Sequence, residues 1–128
     1  MEVRHTIAAA ILLLAVTAPE LSAAEPEASC APGGTALEVA AKDKRFDKSC
    51  LAAPADSPFT IAFTNQDVAV RHNVAIYETA GGDKALFKGE AIVGPGTVTY
   101  SVPAQTAGTY EFRCDPHDAT MTGTFVVG

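Results

Sequence analysis

The sequence predicts a single all-β domain, a sandwich of about seven or eight strands, behind a cleavable N-terminal segment. Apolar residues alternate with polar or small ones at a period of two in several short runs, of which Phe59-Thr60-Ile61-Ala62-Phe63 is the clearest. Beyond the N-terminal segment, no stretch shows a long apolar helical period, an internal repeat or a low-complexity tract. With 128 residues and a hydrophobic fraction of 48%, the chain can build one core and has no room for a second domain.

Residues 1–24 have the layout of a secretory signal peptide. Arg4 and His5 precede an unbroken apolar run at 7–18, and small residues at 22–24 follow it. The run is shorter than the ~20 residues that a transmembrane helix needs, so a permanent anchor is the less favoured alternative. We therefore expect cleavage after Ala24, no membrane span in the mature chain, and secretion to a bacterial periplasm.

The net charge of the mature chain limits its partners. Removing residues 1–24 takes away Arg4, Glu2 and Glu20, which leaves 8 Lys and Arg against 13 Asp and Glu and a net charge of −5. An acidic surface disfavours binding to nucleic acid and to anionic lipid. We expect a docking partner to be basic or to meet a local uncharged patch.

In chain order, the mature sequence begins with an extended arm and continues with strands. Residues 25–35 are rich in Pro, Gly and small side chains, which suits an arm. Residues 36–128 are the predicted folded domain, with strand-like runs around Leu37 and Val39, at 59–64, around Val74 and Ile76, and at 97–102, 109–114 and 123–127. Turn-forming clusters at 65–67, 81–83 and 94–96 separate these runs. Tyr110 is either a tyrosine whose hydroxyl ties back to a neighbouring loop or a core aromatic.

Three cysteines in an exported protein are an odd number, so at most two of them pair within the chain. Cys30 and Cys50 lie near the start of the mature chain, where a disulfide would fasten the arm to the loop after Phe46. Cys114 is then the candidate for the free thiol. The sequence by itself leaves this connectivity open.

The segment from Gly108 to Val127 carries the chemistry. Cys114, His117 and Met121 fall within eight residues between two predicted strands, so one loop can turn a thiol, an imidazole and a thioether toward a single ion. Zn²⁺ rarely uses a thioether, whereas copper accepts one as a weak axial ligand opposite a trigonal plane of two histidines and a cysteine. This set requires a second histidine, and the mature chain has only one other, His72, in the predicted strand 70–77.

Each of these residues also has a structural interpretation. A lone cysteine in a secreted domain is more often half of a disulfide, His117 alone fits a solvated loop, and Met121 alone fits a core position. His72 on an apolar strand fits a hydrogen-bonded core histidine. The cluster favours a metal site because all four residue types of one known ligand set occur together.

The sequence resembles the cupredoxin family of plastocyanins, azurins and amicyanins over nearly all of the mature chain. The resemblance rests on three segments, FTIAFTN at 59–65, HNVAI at 72–76 and YEFRC at 110–114, followed by the Cys-x₂-His-x₃-Met loop. The gap of three residues between His117 and Met121 matches that of azurins, but the gap between Cys114 and His117 is shorter than theirs. Asp118 stands where many relatives have proline, so the subclass is left open.

The resemblance implies an eight-stranded Greek-key sandwich with one copper ion near one end, cycling between Cu(I) and Cu(II). His72, Cys114 and His117 would be the equatorial ligands and Met121 the axial one. Asn73 would hold the two ligand-bearing segments together through hydrogen bonds, one of them to the cysteine sulfur. The implied function is electron transfer as a monomer, with redox partner proteins docking near His117, where Pro116 and Thr120 could add to an apolar patch.

The sequence disfavours the alternatives to electron transfer to different degrees. A copper oxidase or nitrite reductase needs several further histidines for its catalytic copper, and the mature chain has only His72 and His117, so we expect no enzyme activity. A periplasmic copper carrier or storage protein would use the same soft ligands, and the sequence separates it poorly from an electron carrier. A metal-free interaction domain leaves the cluster around Cys114 unexplained.

Overall fold

The computed structural model describes residues 30–128, which form a nearly all-β domain. The strands are β1 (Ala36–Lys42), β2 (Arg45–Phe46), β3 (Cys50–Ala53), β4 (Phe59–Asn65), β5 (Arg71–His72), β6 (Ala75–Tyr77), β7 (Ala85–Lys88), β8 (Ile92–Val93), β9 (Gly96–Val102), β10 (Gly108–Arg113) and β11 (Thr122–Val127). A single 3-10 turn, Asp115–His117, follows β10. Eight of the strands have three or more residues, which confirms the predicted number. The predicted signal peptide, 1–24, and residues 25–29 of the predicted arm lie outside the described residues.

The strands form two main sheets. One sheet has the order β2-β1-β4-β9, the other has the order β3-β11-β10-β6-β7, and β5 and β8 form a small separate pair. The ladders of β1 with β4 and of β3 with β11 are parallel, and the remaining strand ladders are antiparallel. Because neighbours in space are distant in sequence, the chain crosses repeatedly between the sheets, as in Greek-key sandwiches. Within residues 30–128, no helix has the length and apolar character needed to cross a bilayer.

The core lies between the two main sheets and is built by the alternation seen in the sequence. In β4, Phe59, Ile61 and Phe63 are buried while the residues between them are half-buried. Phe59 packs against Phe125 of the opposite sheet with ring centroids 5.5 Å apart, and Phe112 of β10 is fully buried beside them. Burial of each such side chain stabilises the fold by about 1.5–3 kcal/mol. The sandwich is therefore a rigid base for the loops at its ends.

The N-terminal arm is attached by a disulfide between Cys30 and Cys50. The expectation that Cys50 lies in a loop after Phe46 is wrong, because Cys50 is the first residue of β3 and is held there by parallel pairing of β3 with β11. The bridge therefore joins the arm to an edge strand of the five-stranded sheet. Cys114 is the free cysteine among the described residues.

The predicted strand at 70–77 is interrupted. β5 pairs with β8, with His72 opposite Ile92, whereas β6 belongs to the five-stranded sheet and pairs with β7 and β10. Every residue from 72 to 77 is buried, so no alternation in the sequence marks the break. The strand expected at 109–114 also ends one residue early, at Arg113, which leaves Cys114 in the following loop.

Tyr110 ties β10 to the turn before it. Its hydroxyl donates a hydrogen bond of 2.7 Å to the backbone oxygen of Thr106, and its ring packs against the edge of the core. Of the two interpretations left open by the sequence, the tie to a neighbouring loop is therefore correct.

Candidate metal centre

Three side chains with metal-binding atoms meet at one end of the sandwich. The ligand atoms of His72, Cys114 and His117 all lie within 4.8 Å of one another. Cys114 Sγ is 3.5 Å from Nδ1 of His72 and 3.7 Å from Nδ1 of His117, and the centroids of the two rings are 4.8 Å apart. His72 and Cys114 are fully buried, whereas His117 is half-buried and reaches the surface. The structure thus brings together a thiol and two imidazoles that face it through the same nitrogen.

The loop that carries Cys114 and His117 is short and closed by its own backbone. The N–H of Cys114 donates to the oxygen of Met121, the N–H of Met121 donates to the oxygen of His117, and the N–H of His117 donates to the oxygen of Cys114. Pro116 lies in the first turn of the 3-10 segment, where its missing N–H costs no hydrogen bond. Met121 is 1% exposed and belongs to the same buried core cluster as Cys114. The hydrogen bonds of the loop join the backbone of Met121 to the backbones of Cys114 and His117.

A reciprocal pair of hydrogen bonds fastens this loop to the segment that carries His72. Asn73 Oδ1 accepts from the N–H of Asp115 at 2.8 Å, and Asn73 Nδ2 donates to Asp115 Oδ2 at 2.8 Å. Nδ2 also donates to the oxygen of Gly89, and Tyr77 donates its hydroxyl to Asp115 Oδ1 at 2.6 Å. The residue next to His72 thus joins the two segments that carry the candidate ligands.

Burial sets the protonation of the cluster. Loss of solvent raises the pKa of the Cys114 thiol, and the nearby carboxylates of Asp115 and Asp118 raise it further, while the backbone N–H groups of Asn73 and His117 act in the opposite direction. Burial lowers the pKa of His117, and its electrostatic interactions with His72 and Lys44 lower that pKa further, whereas the carboxylate of Asp67 raises it. A neutral imidazole is the form that binds metal, and a buried thiol releases its proton when a cation binds.

Asp67 contacts the other side of the His72 ring. His72 Nε2 lies 2.8 Å from Asp67 Oδ2, and because a carboxylate only accepts, Nε2 carries the proton of this bond. The hydrogen bond from His72 is the largest of the effects that lower the pKa of Asp67 to about 2. Sequence patterns predict Asp67 only as part of a turn-forming cluster, and they assign no role to Asp115. Asp115 contacts Asn73 across 42 positions of sequence. Asp67 is only five positions from His72, but no ligand-spacing pattern marks a carboxylate at that position.

The protein families and solved structures with which this chain can be compared agree with this geometry. The family model of the cupredoxin-like domain matches residues 6–127, so the chain belongs to the cupredoxin family and the resemblance seen in the sequence is confirmed. No curated protein sequence matches it.

Several solved structures share the fold of this chain. Auracyanin from Roseiflexus castenholzii has a TM-score of 0.66 and 22% identity, covering 77% of this chain and 99% of its own. Auracyanin A from Chloroflexus aurantiacus, a "blue" copper protein, has a TM-score of 0.66 and 24% identity, covering 75% of this chain and 100% of its own. A Cu(I) form of an amicyanin mutant has a TM-score of 0.54 and 29% identity, covering 73% of this chain and 83% of its own.

The donor atoms fit copper. Two imidazole nitrogens and a thiol, with a buried thioether on the same closed loop, are the borderline and soft ligands that copper binds in a trigonal site with a weak axial sulfur. Structural zinc sites use four nitrogen, sulfur or carboxylate ligands and leave no place for a methionine. His72, Cys114, His117 and Met121 could therefore form a type 1 copper site.

Proposed function

We propose that this chain is a copper-binding electron-transfer protein, with His72, Cys114 and His117 as equatorial ligands of one copper ion and Met121 as the axial ligand. The observation that carries the proposal is the buried, unpaired thiol of Cys114, which faces Nδ1 of one imidazole at 3.5 Å and Nδ1 of another at 3.7 Å. The blue-copper identity of Auracyanin A, whose fold this chain shares, supports the same assignment.

The surroundings of the ligands suit electron transfer because they resist movement. Copper supplies a one-electron couple between Cu(I) and Cu(II). The donor atoms are buried, the loop from Cys114 to Met121 is closed by backbone hydrogen bonds, and Asn73 fastens it to the segment of His72. A site that keeps its geometry in both oxidation states requires little reorganisation when an electron arrives or leaves.

The electron would cross the surface at His117, because His117 is the one imidazole of the pair that reaches solvent. Pro116 and Thr120 are exposed beside it, as expected for a contact patch, and Val68 is 74% exposed in the loop that leads to His72. A redox partner protein docking on this face would approach the metal through a single side chain. We propose that the protein works there as a monomer.

The protein would carry electrons for a reaction performed elsewhere. Within residues 30–128, His72, Cys114 and His117 are the single group of three or more His, Cys, Asp or Glu side chains arranged to hold an ion. A catalytic copper centre of the oxidase or reductase kind needs further histidines, and His5 is the only other one in the sequence. We therefore propose that the chain is not an enzyme.

Export to an oxidising compartment is part of the proposal. The disulfide between Cys30 and Cys50 is of the kind that persists in a periplasm and is rare in a cytosol. We propose that residues 1–24 are a signal peptide, 25–35 an arm and 36–128 the cupredoxin domain. Mass spectrometry of the exported protein should give an N-terminus at Glu25, and a mature chain that retains 1–24 would contradict this division.

The test of the metal site compares replacement of the free cysteine with replacement of the two disulfide-bonded cysteines. Cys114→Ser should abolish the intense visible absorption that thiolate-to-copper charge transfer gives the Cu(II) protein, because the only free thiol is lost. The paired change Cys30→Ser with Cys50→Ser removes two sulfurs that are not among the candidate ligands and should leave the band intact. A band that survives Cys114→Ser would overturn the assignment of the thiolate ligand.

A further inference from the structure

A single carboxylate, that of Asp67, joins the His72 ring to a hairpin turn that lies 23–24 positions before Asp67 in the sequence. Asp67 lies in the loop between β4 and β5, and its side chain is 11% exposed. Oδ2 accepts from His72 Nε2 at 2.8 Å and from the N–H of Lys44 at 2.9 Å, and Oδ1 accepts from the N–H of Asp43 at 2.6 Å. Three N–H donors from two segments thus converge on one side chain.

The hairpin turn between β1 and β2 is shaped to offer these two N–H groups. Its two central residues, Asp43 and Lys44, have φ angles of 53° and 57°, which are the left-handed values of a type I′ turn. Successive backbone N–H groups in such turns point toward a common anion position. The Asp67 carboxylate occupies that position. Because it also accepts from the His72 ring, it links the hairpin to that ring.

The position of Asp67 is fixed independently of any metal. Its own N–H donates to Oδ1 of Asn65 at 2.9 Å, and Asn65 is fully buried, with Nδ2 bonded to the oxygens of Val70 and Ile92. Gly94 packs closely against the same loop, because a Cβ there would collide with the backbone oxygen of Asp67 and the side chain of Asn65. The loop therefore holds the carboxylate in place before His72 binds an ion.

We infer that Asp67 is a positioning residue that holds His72 with its proton on Nε2 and Nδ1 open toward the metal, and that its charge favours Cu(II) over Cu(I). The inference rests on the proposed copper site. A carboxylate that accepts a proton from the far nitrogen of a ligand imidazole fixes the ring and makes it a stronger donor. Because Cu(II) carries one more positive charge than Cu(I), a stronger donor with a fixed negative charge behind it stabilises the oxidised form more.

The test replaces the carboxylate with an amide of the same shape. Asp67→Asn removes the charge and one of the two acceptors, so Cu(II) binding should weaken about 10-fold to 100-fold relative to Cu(I) binding. For a one-electron couple this change raises the reduction potential by about 59–118 mV. The visible band should remain, because the four ligands are unchanged.

Asp43→Asn is the matched control. It removes the same charge from the adjacent turn, tolerates the same left-handed φ, and leaves the backbone N–H bond to Asp67 in place. Its potential should stay close to that of the unmodified protein. A potential for Asp67→Asn that falls, or that rises no further than the potential of Asp43→Asn, would overturn the inference.

A measurement on the metal-free protein separates this inference from the copper site. The ¹⁵N spectrum of the imidazoles should report His72 with its proton on Nε2 in the unmodified protein, and a mixture of tautomers in Asp67→Asn. A proton on Nδ1 of the unmodified protein would refute the positioning role even if the variant failed to fold. A protein that passes this test but gives no blue Cu(II) complex would instead refute the proposed function.

Discussion

Replacement of Asn73 with alanine should destabilise the metal-free protein strongly although the residue binds no metal itself. Asn73 is 3% exposed and makes three side-chain hydrogen bonds, two with Asp115 and one with the oxygen of Gly89. Neutral hydrogen bonds contribute about 0.5–1.5 kcal/mol each, and the bond to the Asp115 carboxylate contributes about 1.5–3 kcal/mol. We expect Asn73→Ala to lower the free energy of unfolding by about 3 kcal/mol, because bonds within one network are not additive.

The assay is urea unfolding of the metal-free protein with its disulfide intact, since a bound ion would add its own stabilisation. Gln66→Ala is the control, because Gln66 is an exposed amide in a neighbouring loop and such substitutions change stability by about 0.5 kcal/mol or less. A loss for Asn73→Ala no larger than the loss for Gln66→Ala would refute the view that this residue joins the two ligand-bearing segments.

Three further changes test other parts of the account. Met121→Leu should keep the blue colour and raise the reduction potential, because a weak axial donor that favours Cu(II) is lost; an unchanged potential in voltammetry would count against Met121 as a ligand. Replacing Cys30 and Cys50 with serine should lower the free energy of unfolding by about 3 kcal/mol, because the bridge closes a sequence separation of 20 residues; urea unfolding with no shift in midpoint would contradict this. Burial raises the pKa of Tyr100 from 10.0 to about 12, so its contribution to stability is complete below pH 10 and is lost as the pH rises toward 12. The Tyr100→Phe protein should therefore lose less stability than the unmodified protein between pH 10 and pH 12, by up to about 3 kcal/mol, and parallel losses in the two proteins would refute the raised pKa of Tyr100.

The parts of the fold that the sequence predicts correctly are those set by local patterns. The alternation of Phe59, Ile61 and Phe63 predicts β4 because one face of that strand is buried and the other is not. The break between β5 and β6 is missed because every residue from 72 to 77 is buried, and the strand ends there are set by pairing with β8 on one side and β7 and β10 on the other.

The candidate site, like the fold, has parts that local sequence patterns predict and parts that they do not. Cys114, His117 and Met121 share one short loop, so their spacing alone predicts that they meet. His72 was inferred as the one remaining histidine of the mature chain, and the fold brings it to the thiol across 42 positions of sequence. The contact of Asp115 with Asn73 spans 42 positions and depends on which loops the two sheets bring together. Asp67 lies five positions before His72, and its contact depends on the path of the loop between β4 and β5, which no residue pattern encodes.

The most direct test of the electron-transfer function is the visible and EPR spectrum of the copper-loaded mature protein through repeated cycles of reduction and oxidation, with a copper chelator present. We predict an intense thiolate-to-copper band and a type 1 EPR signal, both lost on reduction and fully restored on oxidation, because the buried Cys114 thiolate retains the metal in both states. A colourless Cu(II) complex would contradict the blue-copper site. A blue signal that decays with each cycle as the chelator removes copper would contradict electron transfer and favour a copper carrier.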